Sequence, residues 1–533
     1  SLLPRSETDR TGPCRGHFVS IMVLGLVLCV LALCVAALAS SVVVSGGGGA
    51  IGRGGAPGRE LLRGQRSPRR HRSRSGFFLQ LSDVHLDPWY NASLGPLCFC
   101  SGLEVAKSVG AGTGTISARK CEEGATGNRF GQHGCDSSMA LLQATLAAAA
   151  AEAPPGGYDW VMLTGDYVRH RVFELPAHER QAVVRKIITE MVCTVHKYFN
   201  STDVHHGFDH EFFTLGNNDF ARNYKMTVTD PLQRVNPWFA SLDPLFPSEL
   251  PRSAKLSSVT EGPQNASITF ALGGFFMHKL VDGLYLISLN TVVYAAAHHK
   301  AGSLPDDDPF GQLKWLQQTL RWLRGTGAGA KALIAGHIPP TLDHFLFKPM
   351  WLRRFADAYT QIVSQYADVI AGQLFAHLHM STFRLLPSPS VGQPLFVAGA
   401  LSPVYRNNPS FRVWRYEGAQ LLDYRDFAAE LRTDGPQDEL QFEAGPSALE
   451  AFGLRSLSAS EWRSLVAEPL LGEEAEPWRR YVDALWLRTS GKRRRAALES
   501  RAFRVRAACA MLHQHATSFA ACLEAHGASA GGQ

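Results

Sequence analysis

The chain has 533 residues, 45% hydrophobic and 19% charged, an ordinary balance for a globular protein with a sizeable core and enough length for one large domain with appendages or for two domains. Its net charge of +6 does not point to an anionic partner at a folded site, because eight arginines against one acid, Glu60, in residues 51–76 account for the excess. The remainder is close to neutral, and no nucleic-acid partner is expected.

Behind an N-terminal tail, residues 1–17, Phe18 to Val44 is a run of 27 residues without a charge. About 20 apolar residues cross a bilayer, whereas the h-region of a signal peptide has about 7–15. The length favours a retained transmembrane signal anchor over a cleaved signal peptide ending near Ala37-Leu38-Ala39. The arginines after the span would keep the C-terminal side cytosolic by the positive-inside tendency. The cysteines and glycosylation sequons argue for a lumenal C-terminal side, a single-pass type II arrangement, and outweigh them. Residues 45–76, rich in Gly, Arg, Ser and Pro, predict a disordered linker rather than a polyanion- or lipid-binding tail.

Phe77 to Leu81 predicts a short buried strand, followed at once by Asp83-Val84-His85. A Gly-rich insert from Asp87 to Ser137 carries the sequon Asn91-Ala92-Ser93 and Cys98, Cys100, Cys121 and Cys135. Four cysteines in a stretch with little core suit two disulfides better than a zinc knuckle, whose ligand spacing they do not match. Cys509 and Cys522 could pair near the C-terminus, and Cys193 is most simply a buried thiol. Sequons at Asn200-Ser201-Thr202 and Asn265-Ala266-Ser267 agree with a secretory setting.

Further along, Ser138 to Ala153 and Ala177 to Phe199 predict helices, with a strand from Tyr158 to Leu163 between them that runs into Gly165-Asp166 and, four residues on, His170. A strand from Glu211 to Leu215 ends in Gly216-Asn217-Asn218-Asp219, and one from Leu284 to Leu289 runs into Asn290. Asp308-Pro309 starts a helix through Leu323. A strand from Ala332 to Ala335 runs into Gly336-His337, a helix spans about Met350 to Tyr366, and an extended segment delivers His377 and His379. Strands Pro394 to Ala398 and Phe411 to Tyr416 follow. Strands alternating with helices indicate an α/β sandwich. Beyond residue 425, Leu457 to Leu487 (broken near Pro477) and Arg493 to Glu524 predict helices, a C-terminal extension over 426–533.

Five strand ends thus supply Asp83, His85, Asp166, Asn217, His337, His377 and His379. Seven oxygen and nitrogen donors suit two divalent ions that share one carboxylate, Asp166, and the mixture of carboxylate and imidazole suits Zn, Fe, Mn or Co better than calcium. The pairs His205-His206, His298-His299 and the run Asp306-Asp307-Asp308 lack strand-end placement and are taken as surface features.

The ordered set Asp83-x-His85, Gly165-Asp166, Gly216-Asn217, Gly336-His337 and His377-x-His379 resembles the calcineurin-type metallophosphoesterase superfamily over about Phe77 to Tyr416. The stretch Leu86-Asp87-Pro88-Trp89-Tyr90, His170, and Asn408-Pro409-Ser410-Phe411-Arg412 resemble the branch of acid sphingomyelinase-like phosphodiesterases and vacuolar endopolyphosphatases. The resemblance implies a β-sandwich flanked by helices over 77–425. It implies one ion (Zn, Mn, Mg, Fe or Co) on Asp83, His85, Asp166 and His379, and another on Asp166, Asn217, His337 and His377. Where the family's usual motif is Gly-Asn-His, this chain has Asn218, which can donate a hydrogen bond but no proton. His170 becomes the candidate general acid, or else a residue that orients a ligand. Ala376 stands where Gly usually precedes His-x-His, one methyl more.

The Gly-Asn-Asn-Asp form is closer to the endopolyphosphatases, and a phosphate leaving group needs less help from an acid than an alcohol does. The expectation is a membrane-anchored, lumenal enzyme of a vacuole, lysosome or acidocalcisome-like compartment that cleaves internal bonds of inorganic polyphosphate with hydroxide. Arg169, Arg222, Lys225, Arg406 and Arg412 are candidates for its basic groove. The alternative is a phosphodiesterase on lipid or nucleotide diesters, which needs apolar or stacking side chains such as Trp89, Tyr90, Trp238 or Tyr405. A non-enzymatic membrane glycoprotein on the same scaffold would have lost ligands, and all seven are present.

Overall fold

The computed structural model describes residues 75–528 apart from 104–117, 200–210, 229–234, 243–244, 246–265, 300–306, 328, 388–393, 473–474 and 490–491. The expected anchor at 18–44, nearly all of the linker, the sequons at Asn200 and Asn265, and His205, His206 and Asp306 lie outside the described residues. Among the described residues no helix is long and apolar enough to cross a membrane.

Two six-stranded sheets form the frame. In the first, β1 (Ser75–Leu81) lies between β2 (Trp160–Leu163) and β10 (Ser410–Glu417), with β3 (Glu211–Phe213) outside β2 and with β11 (Gln420–Ala428) and β12 (Glu443–Ser447) outside β10. Strands β1, β2 and β3 run parallel, and β10 is antiparallel to β1. The second sheet has the order β4 (Phe276–Val281), β5 (Leu284–Ser288), β6 (Lys331–Ala335), β7 (Ile370–Phe375), β9 (Pro394–Val397), β8 (Thr382–Leu385). Its inner strands β5, β6, β7 and β9 are parallel. Strands such as Trp160-Val161-Met162-Leu163 are buried at every residue, as expected of parallel strands covered on both faces.

The inner faces of the sheets meet. Trp414 of β10 packs against Phe396 of β9 with ring centroids 5.2 Å apart, and Ser288 Oγ of β5 donates to the Phe213 carbonyl of β3 at 3.1 Å. Helices Met139–Ala151 and Ala177–Phe199 cover the first sheet, and Gln312–Gly325 and Arg353–Gln365 cover the second. Ser138 caps its helix by accepting the Leu141 N–H at 3.0 Å. Asp308 accepts the N–H groups of Leu313 and Lys314 at 2.8 and 2.9 Å, so it starts a helix rather than decorating a surface run.

Four strands escape the sequence reading. β4 sits on an edge and is only partly buried, β8 hides Arg384, and β11 and β12 carry polar residues throughout. β11 crosses the boundary placed at residue 425, and β12 extends the sheet to Ser447. Past it come Ala448–Phe452, Ala459–Leu465, Ala475–Leu485, Lys492–Glu499, Arg501–Leu512 and Ala516–Ala525. The break expected at Pro477 falls before it, because Pro477 occupies the first turn of Ala475–Leu485, where no N–H is needed. Most of these helices share the main core, Phe383 of β8 lying 4.2 Å from the Trp462 ring, while Ala516–Ala525 packs on Arg501–Leu512 around a smaller cluster of Leu342, Val505, Cys509, Phe519 and Leu523.

The insert is held by Cys98–Cys121 and Cys100–Cys135, and the last two helices by Cys509–Cys522. Cys193 is disulfide-bonded, not a free thiol; its place on the helix is only half-buried. Closing a loop of 13 residues removes about 3 kcal/mol of unfolded-chain entropy. Replacing Cys509 and Cys522 together by alanine is therefore expected to lower stability by about 3 kcal/mol, measured by urea unfolding of the full chain.

Candidate metal centre

Because β1, β2, β3, β6 and β7 all run the same way within their sheets, their C-terminal ends emerge along one edge of the sandwich. The loops that leave them are laced together. Asp83 N–H donates to the Gly165 carbonyl at 3.0 Å, His85 N–H to the Asp166 carbonyl at 2.9 Å, and Ala376 N–H to the His337 carbonyl at 3.0 Å. Glycine is required at two crossings. A Cβ on Gly165 would lie 2.7 Å from His337 Nδ1, and one on Gly216 would lie 2.3 Å from the Asp166 amide nitrogen.

Five of the seven expected ligands hold the left-handed backbone region: Asp83 (φ 48), His85 (φ 43), Asp166 (φ 57), His377 (φ 73) and His379 (φ 55). Side chains seldom adopt this conformation, and its clustering at one site marks a functional constraint.

The seven side chains converge. His85 Nε2 and His379 Nε2 lie 3.1 Å apart, and Asp83 Oδ1 lies 3.4 Å from His379 Nε2. On the other side, His337 Nε2 is 3.2 Å from Asn217 Oδ1 and 3.4 Å from Asp166 Oδ2. Asp166 Oδ2 is also 3.5 Å from His85 Nε2, so one carboxylate faces both groups. Donor atoms of Asp83, His85 and His379 cluster as one triad, and those of Asp166, His337 and His377 as a second.

Several details fit a metal. The Nδ1 atoms of His85 and His337 donate to the carbonyls of Val168 (3.0 Å) and Thr164 (2.8 Å), which leaves each Nε2 lone pair turned into the site. Asp83 Oδ1 is buried without a hydrogen-bond donor. Burial holds His85 down to about 4 and His377 down to about 3, the neutral form in which imidazole ligates. Burial also pushes Asp83 up to about 7. His337 is driven the other way: burial opposes its charge, but Asp166 and Asp83 raise it to about 9, a proton with which a divalent cation would compete.

Residues without an assigned role prove essential to the geometry. Asp219 accepts N–H groups from Gly216 (2.7 Å), Asp166 (2.9 Å), Tyr167 (2.8 Å) and Val168 (3.2 Å), pinning two ligand loops with one carboxylate. Tyr224 OH lies 3.2 Å from His377 Nε2. Asn218, which can donate hydrogen bonds but no proton, gives its N–H and its Nδ2 to the two oxygens of Asp166, both at 2.8 Å, and so clamps the shared carboxylate.

His170 is at the site, its ring stacked 4.0 Å from that of His85. Its Nδ1 donates to Asp136 Oδ1 at 2.8 Å and its backbone N–H to Asp136 Oδ2 at 2.8 Å. Burial opposes its charge, but the Asp136 carboxylate outweighs it and raises His170 above the usual imidazole range. Asp136 follows Cys135 of the insert. The only advance signal for Asp219 was its place beside Asn218; for Asp136 there was none.

The expected basic groove dissolves. Arg169 and Arg412 are each 1% exposed. Arg169 faces Asp87 at 3.6 Å and donates to Ser101 Oγ, and Arg412 pairs with Asp426 at 2.7 Å. Lys225 Nζ donates to the carbonyls of Ala297 and His298, leaving Arg222 and Arg406 exposed. Trp89 and Tyr90 are half-buried, Tyr90 OH donating to the Asn128 carbonyl, and Trp238 packs beside Phe220. Tyr405 differs: it is 41% exposed and its ring lies 4.6 Å from His379 and 5.8 Å from His170.

Outer contacts of this kind are worth about 10–100-fold in metal affinity. Asp219→Asn is expected to weaken metal binding by about that factor while the chain still folds, checked by metal titration and circular dichroism. An unchanged affinity would deny Asp219 its role.

The profile of the calcineurin-like phosphoesterases matches residues 78–381, a span that holds all seven ligands. A sphingomyelinase phosphodiesterase D of Dictyostelium discoideum is 28% identical over 367 residues, 66% of this chain and 74% of the relative. An acid sphingomyelinase-like phosphodiesterase 3b of Homo sapiens is 25% identical over 77% of this chain and 83% of its own length. A cyclic GMP-AMP phosphodiesterase of Mus musculus is 25% identical over 74% of this chain and 80% of its own. With its profile matched over more than half the chain, this protein belongs to the calcineurin-like phosphoesterase family.

Proposed function

We propose that this chain, a metal-dependent phosphoester hydrolase by family, is a sphingomyelinase-like phosphodiesterase that cleaves diesters bearing an apolar or planar substituent. The observation that carries the proposal is Tyr405, an exposed ring set edge-on to His379 and His170, with the 44% exposed Phe345 at 5.9 Å beyond it. Such a surface takes an acyl chain or a base, and of the five cations considered for a polyanion only Arg222 and Arg406 are exposed. Relatives named for sphingomyelin and for cyclic GMP-AMP support the same direction. The polyphosphate reading loses weight because Arg169 and Arg412 are buried within the protein.

Asp83, His85 and His379 would hold one ion and Asn217, His337 and His377 the other, with Asp166 shared between them. When bound, two divalent ions supply positive charge to the phosphoryl oxygens and make water acidic enough to act near neutral pH. The chain's own residues do the rest. Asn218 fixes the shared carboxylate, and Tyr405 with Phe345 holds the substituent. His170, whose hold on a proton Asp136 strengthens against the opposing effect of burial, is placed to deliver that proton to the leaving oxygen. Disulfides in the insert and at the C-terminus support a lumenal setting, and residues 18–44 the anchor that would place the enzyme at a membrane.

A substrate panel on the purified chain tests the proposal: bis(p-nitrophenyl) phosphate, sphingomyelin, cyclic GMP-AMP and long-chain polyphosphate, each with Zn, Mn, Mg or Co. Turnover of diesters is expected, with KM raised roughly tenfold in Tyr405→Ala by the loss of one stacking contact. Cleavage of polyphosphate with every diester untouched would reverse the assignment. His170→Gln is expected to slow diesters with alkoxide leaving groups by about 10²–10⁴-fold and p-nitrophenyl esters far less, since p-nitrophenolate leaves unaided. Equal losses on both would mean that His170 only orients His85.

A further inference from the structure

The packing of the C-terminal helices on β8 leaves a charged group inside the protein with one edge unused. Arg384 is 1% exposed. Its Nη1 donates to Thr382 Oγ1 at 2.9 Å and to the Phe383 carbonyl at 2.8 Å. Its Nε and Nη2 have no hydrogen-bond partner among the described residues. Tyr481 OH also bonds the Arg384 side chain, and among the described residues the carboxylate whose charge reaches it, Asp343, is committed to the N–H groups of Phe345, Leu346 and Lys348. Next to Asp343 in the chain, His344 is also 1% exposed, and neither of its ring nitrogens has a hydrogen-bond partner among the described residues.

The two side chains are near enough for the Arg384 charge to act on His344, and a run of aromatic rings links their surroundings. Tyr481 OH lies 2.9 Å from Thr382 Oγ1, beside Arg384, and stacks with Trp478 at 5.4 Å. Trp478 lies 6.0 Å from Phe503, whose ring is 5.5 Å from that of His344. Burial, with the Arg384 charge added, pushes His344 down to about 3, so its neutral ring still has an N–H to give.

Leaving a buried guanidinium edge and a buried imidazole both unsatisfied is costly. Nε and Nη2 form the side-on edge of the guanidinium, the one spaced for two oxygens of a single anion. We propose that Arg384 and His344 form a buried oxyanion site for a small tetrahedral anion of the phosphate or sulfate type, with two oxygens on the Arg384 edge and a further bond from the His344 ring. His344 lies within the segment closed by the Leu342–Pro349 bridge, which also carries the exposed Phe345 and Leu346. An anion here ties that rim to β8 and the C-terminal helices.

Sulfate is the probe, because inorganic phosphate would also occupy the metal centre. The full chain, loaded with metal and held in a buffer free of oxyanions, is melted at increasing sulfate. A saturable rise of roughly 3 °C at a hundredfold excess over Kd is expected. The rise should vanish in Arg384→Met and in His344→Phe, and a crystal grown with sulfate should show tetrahedral density against Nε and Nη2. If Arg384→Met does not fold, His344→Phe and the crystal decide. A flat response, a rise that both variants retain, or ordered water alone at the guanidinium edge would overturn the site.

Discussion

Two carboxylates, Asp83 and Asp166, lie at the end of a hydrophobic sandwich with 0% and 2% of their surface exposed. Burying anions costs several kcal/mol each unless opposite charge arrives with them. Here the neighbours are imidazoles, and His85, His377 and His379 are neutral, so protein atoms leave the charge unbalanced. His337 answers in part by taking up a proton. Divalent cations answer in full, and the placing of the remaining groups follows from that demand. Neutral Nε2 atoms point inward, each Nδ1 of His85 and His337 is tied back to a carbonyl, and Asp83 keeps an oxygen free.

Holding such a site open requires a stiff frame. Strands from both sheets end at one edge, and their loops turn within two to four residues into left-handed conformations. Five such residues, at about 1–3 kcal/mol each, would unravel a loop that stood alone. The cross-links supply the rigidity: Asp219 gathers four N–H groups, Asn218 grips both Asp166 oxygens, and the glycines at 165 and 216 let two loops touch without a Cβ between them. The strain is supported by a core that runs from β1 through the C-terminal tryptophans.

What a reader of the sequence alone can see is set by how local the cause is. Strand ends followed by Asp, His or Asn were visible because a short apolar run and the polar residue after it are neighbours in the chain. The same holds for the helix started by Asp308, whereas the insert's disulfides were legible only as four cysteines in one short stretch, with their pairing left open. Asp136 was invisible because its partner, His170, lies 34 residues away. Arg169 and Arg412 looked like groove cations for the same reason: nothing near them in sequence announces that Asp87 and Asp426 bury them. Strand β8 was lost because one buried arginine breaks an otherwise apolar pattern, and β12 because Glu443-Ala444-Gly445-Pro446-Ser447 has no strand-forming residues of its own. Cys193 was misjudged on helical position alone.

Reaction class and substrate choice are separable in this molecule. Every expected metal ligand follows a strand end, where the sheets fix its place. The groups proposed to meet the rest of a substrate come from elsewhere. Asp136, which holds His170, hangs from the disulfide-bonded insert; Tyr405 stands on the turn before β10; Phe345 rides on the loop after β6. Loops of this kind vary without disturbing the frame. Loss of the histidine at position 218 illustrates the division. Asn218 brings no proton source but clamps the shared carboxylate, and in the proposed mechanism the protonation of a leaving group falls to a side chain on a different loop. A phosphate leaving group needs no such acid, whereas an alkoxide does. A buried partner raises His170 and an aromatic ring stands 5.8 Å from it, and the proposed preference for diesters rests on that pairing.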